Sequence, residues 1–364
     1  MLIIYRGCIM IKDKKGVISV SVIYSFFLIF CLLLILIMTT YTNNRVNFKL
    51  LKNDIKKMFI RTKSIETVPI INVIGSYSYT VYKDDLSDSG SKYLNSGNKN
   101  YINFGVIKTG SDAGKAMLWR IIRINGDGSI RLIYAGDIGS SKFNNSYNDA
   151  VYSGYMYSES VRNGLSNNST VKEYVDSWYK NNLSNTKYEE YISPSIFCVN
   201  RNAYTNTSKS SPAYGFGMDT QYFEDYNKSF SDFKCDDTSD RFDTRINYET
   251  LSTLNGNGAL TYMVGLLTAA EAKKISTSVR GTGETWTLSP GYYNSGAYTY
   301  YASGSSVNTL RVDSARRIRP VISIKADTQL VKKTDSNYGS SSNPFIIATN
   351  QSDFASGTGS VCGI

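Results

Sequence analysis

The chain has 364 residues, 41% of them hydrophobic, with 28 Gly and 6 Pro, so it is long enough for about two folding units and is neither collagen-like nor disordered throughout. It contains no histidine, which excludes Ser-His-Asp and Cys-His triads, zinc-protease helices and haem axial histidines. Of its formal charge of +10, residues 1–63 carry most, with 11 Lys and Arg against 2 acidic residues; residues 64–364 are left with 29 against 28, too few surplus cations for a groove-reading module, and no nucleic-acid partner is expected.

In chain order, a basic leader over 1–16 comes first. No charged residue then occurs from Gly16 to Asn44. At 1.5 Å per residue, the stretch Val17 to Tyr41 makes a helix of about 37 Å, enough to cross a hydrocarbon core of about 30 Å. The expectation is one transmembrane helix over 17–41 behind a cytoplasmic leader. A cleaved secretory signal is the competing reading, with a shorter apolar region than this one and an A-x-A site that is absent here. Lys12, Lys14 and Lys15 precede the span and Arg45, Lys49, Lys52, Lys56 and Lys57 follow it, so the flanking cations do not decide orientation. The remainder is rich in Tyr, Ser, Asn and Gly and holds a candidate disulfide, which places it outside the cytoplasm. The expected location is the cell membrane, single-pass, with an extracytoplasmic C-terminal domain. Val46, Leu50, Leu51, Ile55, Met58 and Phe59 recur at helical spacing between polar residues, which predicts an amphipathic stalk helix over 42–63.

The leader ending in Lys14-Lys15-Gly16, followed by an apolar helix with an amphipathic extension, resembles type IV pilins and pseudopilins. That resemblance implies cleavage after Gly16 and self-assembly through the N-terminal helix. Counting from Val17, Ser21 stands at the fifth mature position, where the family usually has Glu. Met10 opens the compact leader Met-Ile-Lys-Asp-Lys-Lys-Gly and is a second candidate start.

Residues 64–100 read as linker and strand, with the polar run DDLSDSGSKYLNSGNKN over 84–100 as a mobile loop. The main domain is expected over 101–348. Met117 to Ile124 and Ser129 to Ala135 flank Asn125-Gly126-Asp127-Gly128, a hairpin signal. Thr170 to Glu173 reads as a capping box opening a helix with Val171, Tyr174, Val175, Trp178 and Tyr179 on one face. A second box, Thr268 to Glu271, starts a short helix after an apolar strand from Tyr262 to Leu267. Strands follow at 284–288, 297–302, 307–312 and 318–324, where Pro320 requires an edge or strand-start position. The expected class is α+β, mostly antiparallel, with two or more short helices and a flexible tail over 349–364.

The ordered segments Trp119 to Ile124, Ser169 to Tyr179, Ile196 to Arg201, Lys234 to Phe242, Tyr262 to Glu271, Thr285 to Pro290 and Arg317 to Ile324, with Asn343 to Ile347 behind them, resemble uncharacterised surface proteins of gut Firmicutes. The pattern is also similar, at the level of fold, to C-type-lectin-like domains including the formylglycine-generating group. Trp286 to Ile324 holds no cysteine for that group's metal-binding pair, and the lectin signatures Glu-Pro-Asn and Trp-Asn-Asp are absent. Cys198 and Cys235 are the two cysteines inside the main domain, and their pair recurs in the resembling proteins, so a structural disulfide is expected.

Asp236, Asp237, Asp240 and Asp243 could offer oxygen ligands, but they lack the glycine of an EF-hand. They read as a solvated loop, and no metal or cofactor is expected. Tyr292, Tyr293, Tyr298, Tyr300 and Tyr301, with Arg317 among Arg311, Arg316 and Arg319, form the candidate binding surface, because tyrosines on loops offer rigid contact area with a polar tip. Trp119, Trp178 and Trp286 read as core. Glu173, Glu189, Glu190, Glu249 and Glu284 are not brought together by any motif, so an enzyme is not expected, although a carboxylate-based glycoside-active enzyme is the lesser alternative. The expected role is a membrane-anchored surface protein that binds or displays, with a glycan or protein ligand. The principal alternative is a pilin-like filament or secretion-apparatus subunit.

Overall fold

A computed structural model describes residues 2–5, 8–13, 16–18, 20–42, 66–84, 90–95, 99–157, 166–198, 214–215, 232–233, 241–243, 260–304 and 306–348. The chain divides into two compact units, residues 1–64 and 65–364.

In unit 1 three antiparallel strands, β1 (Leu2–Tyr5), β2 (Cys8–Asp13) and β3 (Gly16–Ile18), precede helix α1 (Val20–Thr42). The apolar run turns helical at Val20 rather than at Val17, because Gly16, Val17 and Ile18 pair with Asp13, Lys12 and Ile11 of β2. Side chains of α1 are described over residues 24–36, where Tyr24, Phe26, Phe27, Leu28 and Phe30 are exposed. Among the described residues no helix is long and apolar enough to cross a membrane. The expected stalk lies outside the described residues apart from Thr42.

Unit 2 opens with β4 (Thr67–Pro69), α2 (Ile70–Ile74), β5 (Tyr79–Asp84), β6 (Ser91–Leu94), β7 (Tyr101–Val106), β8 (Ala116–Ile124), β9 (Ile130–Tyr134) and β10 (Ser140–Lys142). The short pair β11 (Met156–Tyr157) and β12 (Asn167–Asn168) leads to α3 (Thr170–Asn182), β13 (Ile192–Ser193) and β14 (Ile196–Cys198). After β15 (Tyr214–Gly215), β16 (Asp232–Phe233) and β17 (Arg241–Asp243) come α4 (Ala269–Lys274) and α5 (Thr277–Arg280). The chain continues through β18 (Thr285–Tyr293), β19 (Ala297–Ser303), β20 (Ser306–Arg311), β21 (Ala315–Arg317), β22 (Val321–Ile324), β23 (Gln329–Val331) and β24 (Phe345–Ile346). The class is α+β with mostly antiparallel sheets.

Two sheets dominate. The larger runs β13-β22-β9-β8-β6-β5-β16, with β7 beside β8 and β24 beside β7; the smaller runs β10-β21-β18-β19-β20, with β15 beside β18. The expected hairpin is β8–β9, turning at Asn125 to Gly128, where Gly128 has φ +86°. All four residues of β22 are buried, so this strand is covered on both faces, and it starts just after Pro320 as a proline requires. Trp119 on β8 is fully buried, donates from Nε1 to Phe104 O at 2.7 Å, and meets Trp178 at 6.0 Å and Tyr134 at 5.2 Å between ring centroids.

Several expectations need correction. The polar run 84–100, read as a mobile loop, supplies the end of β5 and all of β6, because Tyr93 buries its ring and pairs with Thr80 and Arg123. The ordered unit therefore includes most of the 64–100 segment. Tyr262 to Leu267 is not a strand: a Val264 N to Tyr262 O bond bends the backbone, so Gly265 alone meets β22, at Val321. The cap of α3 is Ser169, whose Oγ accepts from Lys172 N; Thr170 Oγ1 instead accepts from Asn145 N. Val171, Val175 and Tyr179 face the core as expected, Trp178 is half-buried, and Tyr174 is exposed. The second capping box is present with both of its bonds.

Candidate binding surface

The tyrosines lie on the β18–β19 hairpin, built by a sequence that resists a regular ladder. Pro290 pairs with Thr299, and the register shifts on both sides of that pair. A Cβ at Gly291 would sit 2.6 Å from Tyr298 O, so glycine lets the strands close here. The turn follows with Ser295 at φ +54° and a bond from Asn294 N to Gly296 O.

This geometry separates the five candidate tyrosines. Tyr292 and Tyr298 stack with centroids 4.9 Å apart and planes 4° apart, and both are half-buried. Tyr293 packs beside Ala150 and Val151 and donates from its hydroxyl to Asn148 O at 3.3 Å. Tyr300 does not belong to an exposed surface: β19 lies between β18 and β20 and is covered on both faces there, leaving this ring 4% exposed. Tyr301 is half-buried edge-on to Trp286, with the Arg316 guanidinium 5.3 Å from its ring centroid. Trp286 itself is core and donates to Ser141 O.

The arginines part company as well. Arg317 pairs with Thr285 at the opposite end of β18 from Tyr293, about 26 Å away along an extended strand. It is not part of the hairpin tip. The tip takes Arg311 instead, opposite Tyr298 in the ladder and 4.7 Å over the ring of Tyr147. Tyr147 is 41% exposed and reaches the hairpin through a bond from Ala297 N to Tyr147 O; Gly296 makes room for it, since a Cβ there would lie 2.9 Å from Arg311 Cδ. Reading the sequence misses Tyr147, 145 positions before Tyr292, because nothing local marks it; its only signal is the Asn- and Ser-rich context of an exposed turn. Arg311 grips Asp313 through Nε and Nη2 at 2.6 and 2.8 Å, and this hydrogen bonding holds the Asp313 carboxyl below its ordinary range.

Arg319, read with the exposed arginines, is buried and donates to Tyr134 O, Val279 O and Arg280 O at the C-terminal end of α5. Burial pushes its pKa down to about 10, with Arg120 acting the same way. A buried charge cluster went wholly unforeseen. Glu271 on α4 meets Arg131 Nε at 2.9 Å and Arg123 Nη2 at 3.1 Å, while Thr268 N donates to its other oxygen at 3.0 Å.

Cys235 and the side chain of Cys198 lie outside the described residues, as do Asp236, Asp237 and Asp240. Among the described residues no group of three or more His, Cys, Asp or Glu is placed to hold a metal.

The tip is thus an aromatic ledge with a planar tyrosine pair, an open third ring and an ionised Arg–Asp fork, a set that offers flat apolar faces beside paired donors and acceptors. Comparison with known protein families, curated proteins and solved structures finds no match for this chain.

Proposed function

We propose that the chain is a membrane-anchored surface protein whose larger unit stands outside the cytoplasm and binds a glycan or a protein partner. The uncharged stretch from Gly16 to Asn44 supports the anchor, as do the exposed apolar side chains of α1, since contiguous exposed apolar surface marks a membrane or partner contact. The mixed, mostly antiparallel unit with short helices supports a C-type-lectin-like architecture at the coarse level of layers. The observation that carries the binding role is the stacked Tyr292–Tyr298 pair beside the exposed Tyr147.

The test is a glycan and mucin array probed with the chain, followed by Tyr292→Ala with Tyr298→Ala. Binding should drop, with a stability loss of about 0.5–1.5 kcal/mol for the lost ring pair. A chain that finds no ligand, or whose ligand ignores both substitutions, removes this reading.

The second reading is a pilin-like filament subunit in which α1 packs against copies of itself, favoured by the same exposed helix and by Lys14-Lys15-Gly16. N-terminal sequencing of protein from cells separates the two, because a plain anchor keeps the residues before Val17.

A further inference from the structure

We propose that the strip of chain from Arg311 to Arg319, with β10 beside it, docks an anionic polysaccharide whose sugar rings carry carboxylates. The inference rests on the binding reading above and names the partner's chemistry. Along this strip Lys142, Arg311, Arg316, Arg317 and Arg319 stand against three carboxylates: Arg311 pairs with Asp313 at 2.6 Å, Arg316 with Glu284 at 2.8 Å, and Arg317 with Asp137 at 3.8 Å. Residues 64–364 together have a surplus of one cation. The strip therefore carries a local surplus of cations in a unit that is otherwise near balance, which favours a polyanion over a neutral ligand.

Two of these cations are open to a ligand. Lys142 is exposed and makes no ion pair within 4 Å among the described residues, its charge reaching Asp313 only at longer range, and the Arg317 side chain is 52% exposed with a long contact to Asp137. In the β10–β21 register Lys142 lies opposite Ala315 and Ser140 opposite Arg317, so the two cations are two residues apart along the ladder, about 7 Å. The Arg317 head lies flat on Gly283, where a Cβ would come within 2.1 Å of Nη2; side-chain bulk at that position would displace it. Arg319 behind it is committed to backbone carbonyls and adds field without competing for the ligand.

The rings on the strip favour a sugar polymer over a bare anion. Tyr301 lies under Arg316 and Tyr147 under Arg311, so each ring sets an apolar edge for sugar C–H groups beside a cation for a carboxylate.

The experiment uses the full chain in a neutral detergent with polygalacturonate as probe, dextran as the uncharged counterpart, and vesicles containing an anionic lipid. The expected result is binding to polygalacturonate that weakens about tenfold between roughly 50 and 300 mM NaCl, as screening requires. Arg317→Ala with Lys142→Ala should weaken it at least about tenfold at low salt, with an unchanged melting temperature, as expected of exposed positions. Lys332→Ala, an exposed cation beside β23 and outside the sheet that holds β10 and β21, should leave it unaltered. Equal affinity for dextran, indifference to the double substitution, or a preference for anionic over neutral vesicles that the double substitution removes would each overturn the proposal. A ligand from the array that depends on Tyr292 and Tyr298, in a chain that ignores polygalacturonate, would overturn the strip and leave the binding reading standing; no ligand of any kind would take both.

Discussion

Glu271 carries two jobs at once. Oε2 accepts from Thr268 N as part of the α4 cap and from Arg131 Nη2, and Oε1 meets Arg131 Nε and Arg123 Nη2. Burial alone would raise this carboxyl, but Arg131 first and then Arg123 outweigh it and hold it below its ordinary value. A carboxyl lowered in the folded state contributes stability that is present above its unfolded value of about 4.3 and is lost as the pH falls through the folded one. Acid should therefore weaken the chain below about pH 4. Glu271→Gln strands two buried guanidiniums, so it should cost about 3–5 kcal/mol at neutral pH and flatten that acid limb. Urea melts from pH 3 to 7 measure both. A variant within about 1 kcal/mol of the parent would mean the arginines find other acceptors. The cap was legible from Thr268-Ala269-Ala270-Glu271, but its second role was not, because Arg131 lies 140 positions away and its contact depends on two elements meeting in the core.

Among elements, the β18–β19 hairpin and helix α3 show where local signals sufficed and where they failed. Of the five residues whose spacing marked one face of α3, Val171, Val175 and Tyr179 are buried, Trp178 is half-buried and Tyr174 is exposed, so helical periodicity found the centre of the buried face and drew it too wide. The cap residue was misread by one position because Ser169 and Thr170 are chemically equivalent candidates; only the backbone tells them apart. Ser169→Ala should cost about 1 kcal/mol in thermal or denaturant melts, and an equal or larger loss from Thr170→Ala would reverse the assignment. In the hairpin, the cluster of tyrosines was legible as a turn-centred feature, while the burial of Tyr300 was not, because alternation cannot show that both faces of β19 are covered. Gly291→Ala drives a methyl into Tyr298 O and should destabilise by about 1–3 kcal/mol. It should also disturb the Tyr292–Tyr298 stack, read as a change in near-ultraviolet circular dichroism; an unchanged melt and spectrum would show that the strands part freely at that point.

For the molecule as a whole, residues 1–63 carry nearly all of the surplus charge, and the chain divides into units of residues 1–64 and 65–364. The start of the ordered unit was set too late because Gly, Ser and Asn dominate 84–100 and hide Tyr93 and Leu94, which pair within the larger sheet. Residues 65–364, expressed without unit 1, should be soluble and monomeric by light scattering, given a continuous core and a sequence without a second long apolar run. Aggregates that resist refolding under oxidising conditions would count against an independent unit. The pairing of β4 with β23 joins the beginning of this unit to a strand near its end. A mechanical load arriving along the chain at residue 65 therefore enters through Thr67, Val68 and Pro69, and is passed at once to Val331, Leu330 and Gln329 and to the buried Ile70 and Ile74. A protein tethered through residue 65 would feel drag as a tug on this seam. Its first yielding point would be three ladder pairs long, leaving the two large sheets intact while the tether lengthens.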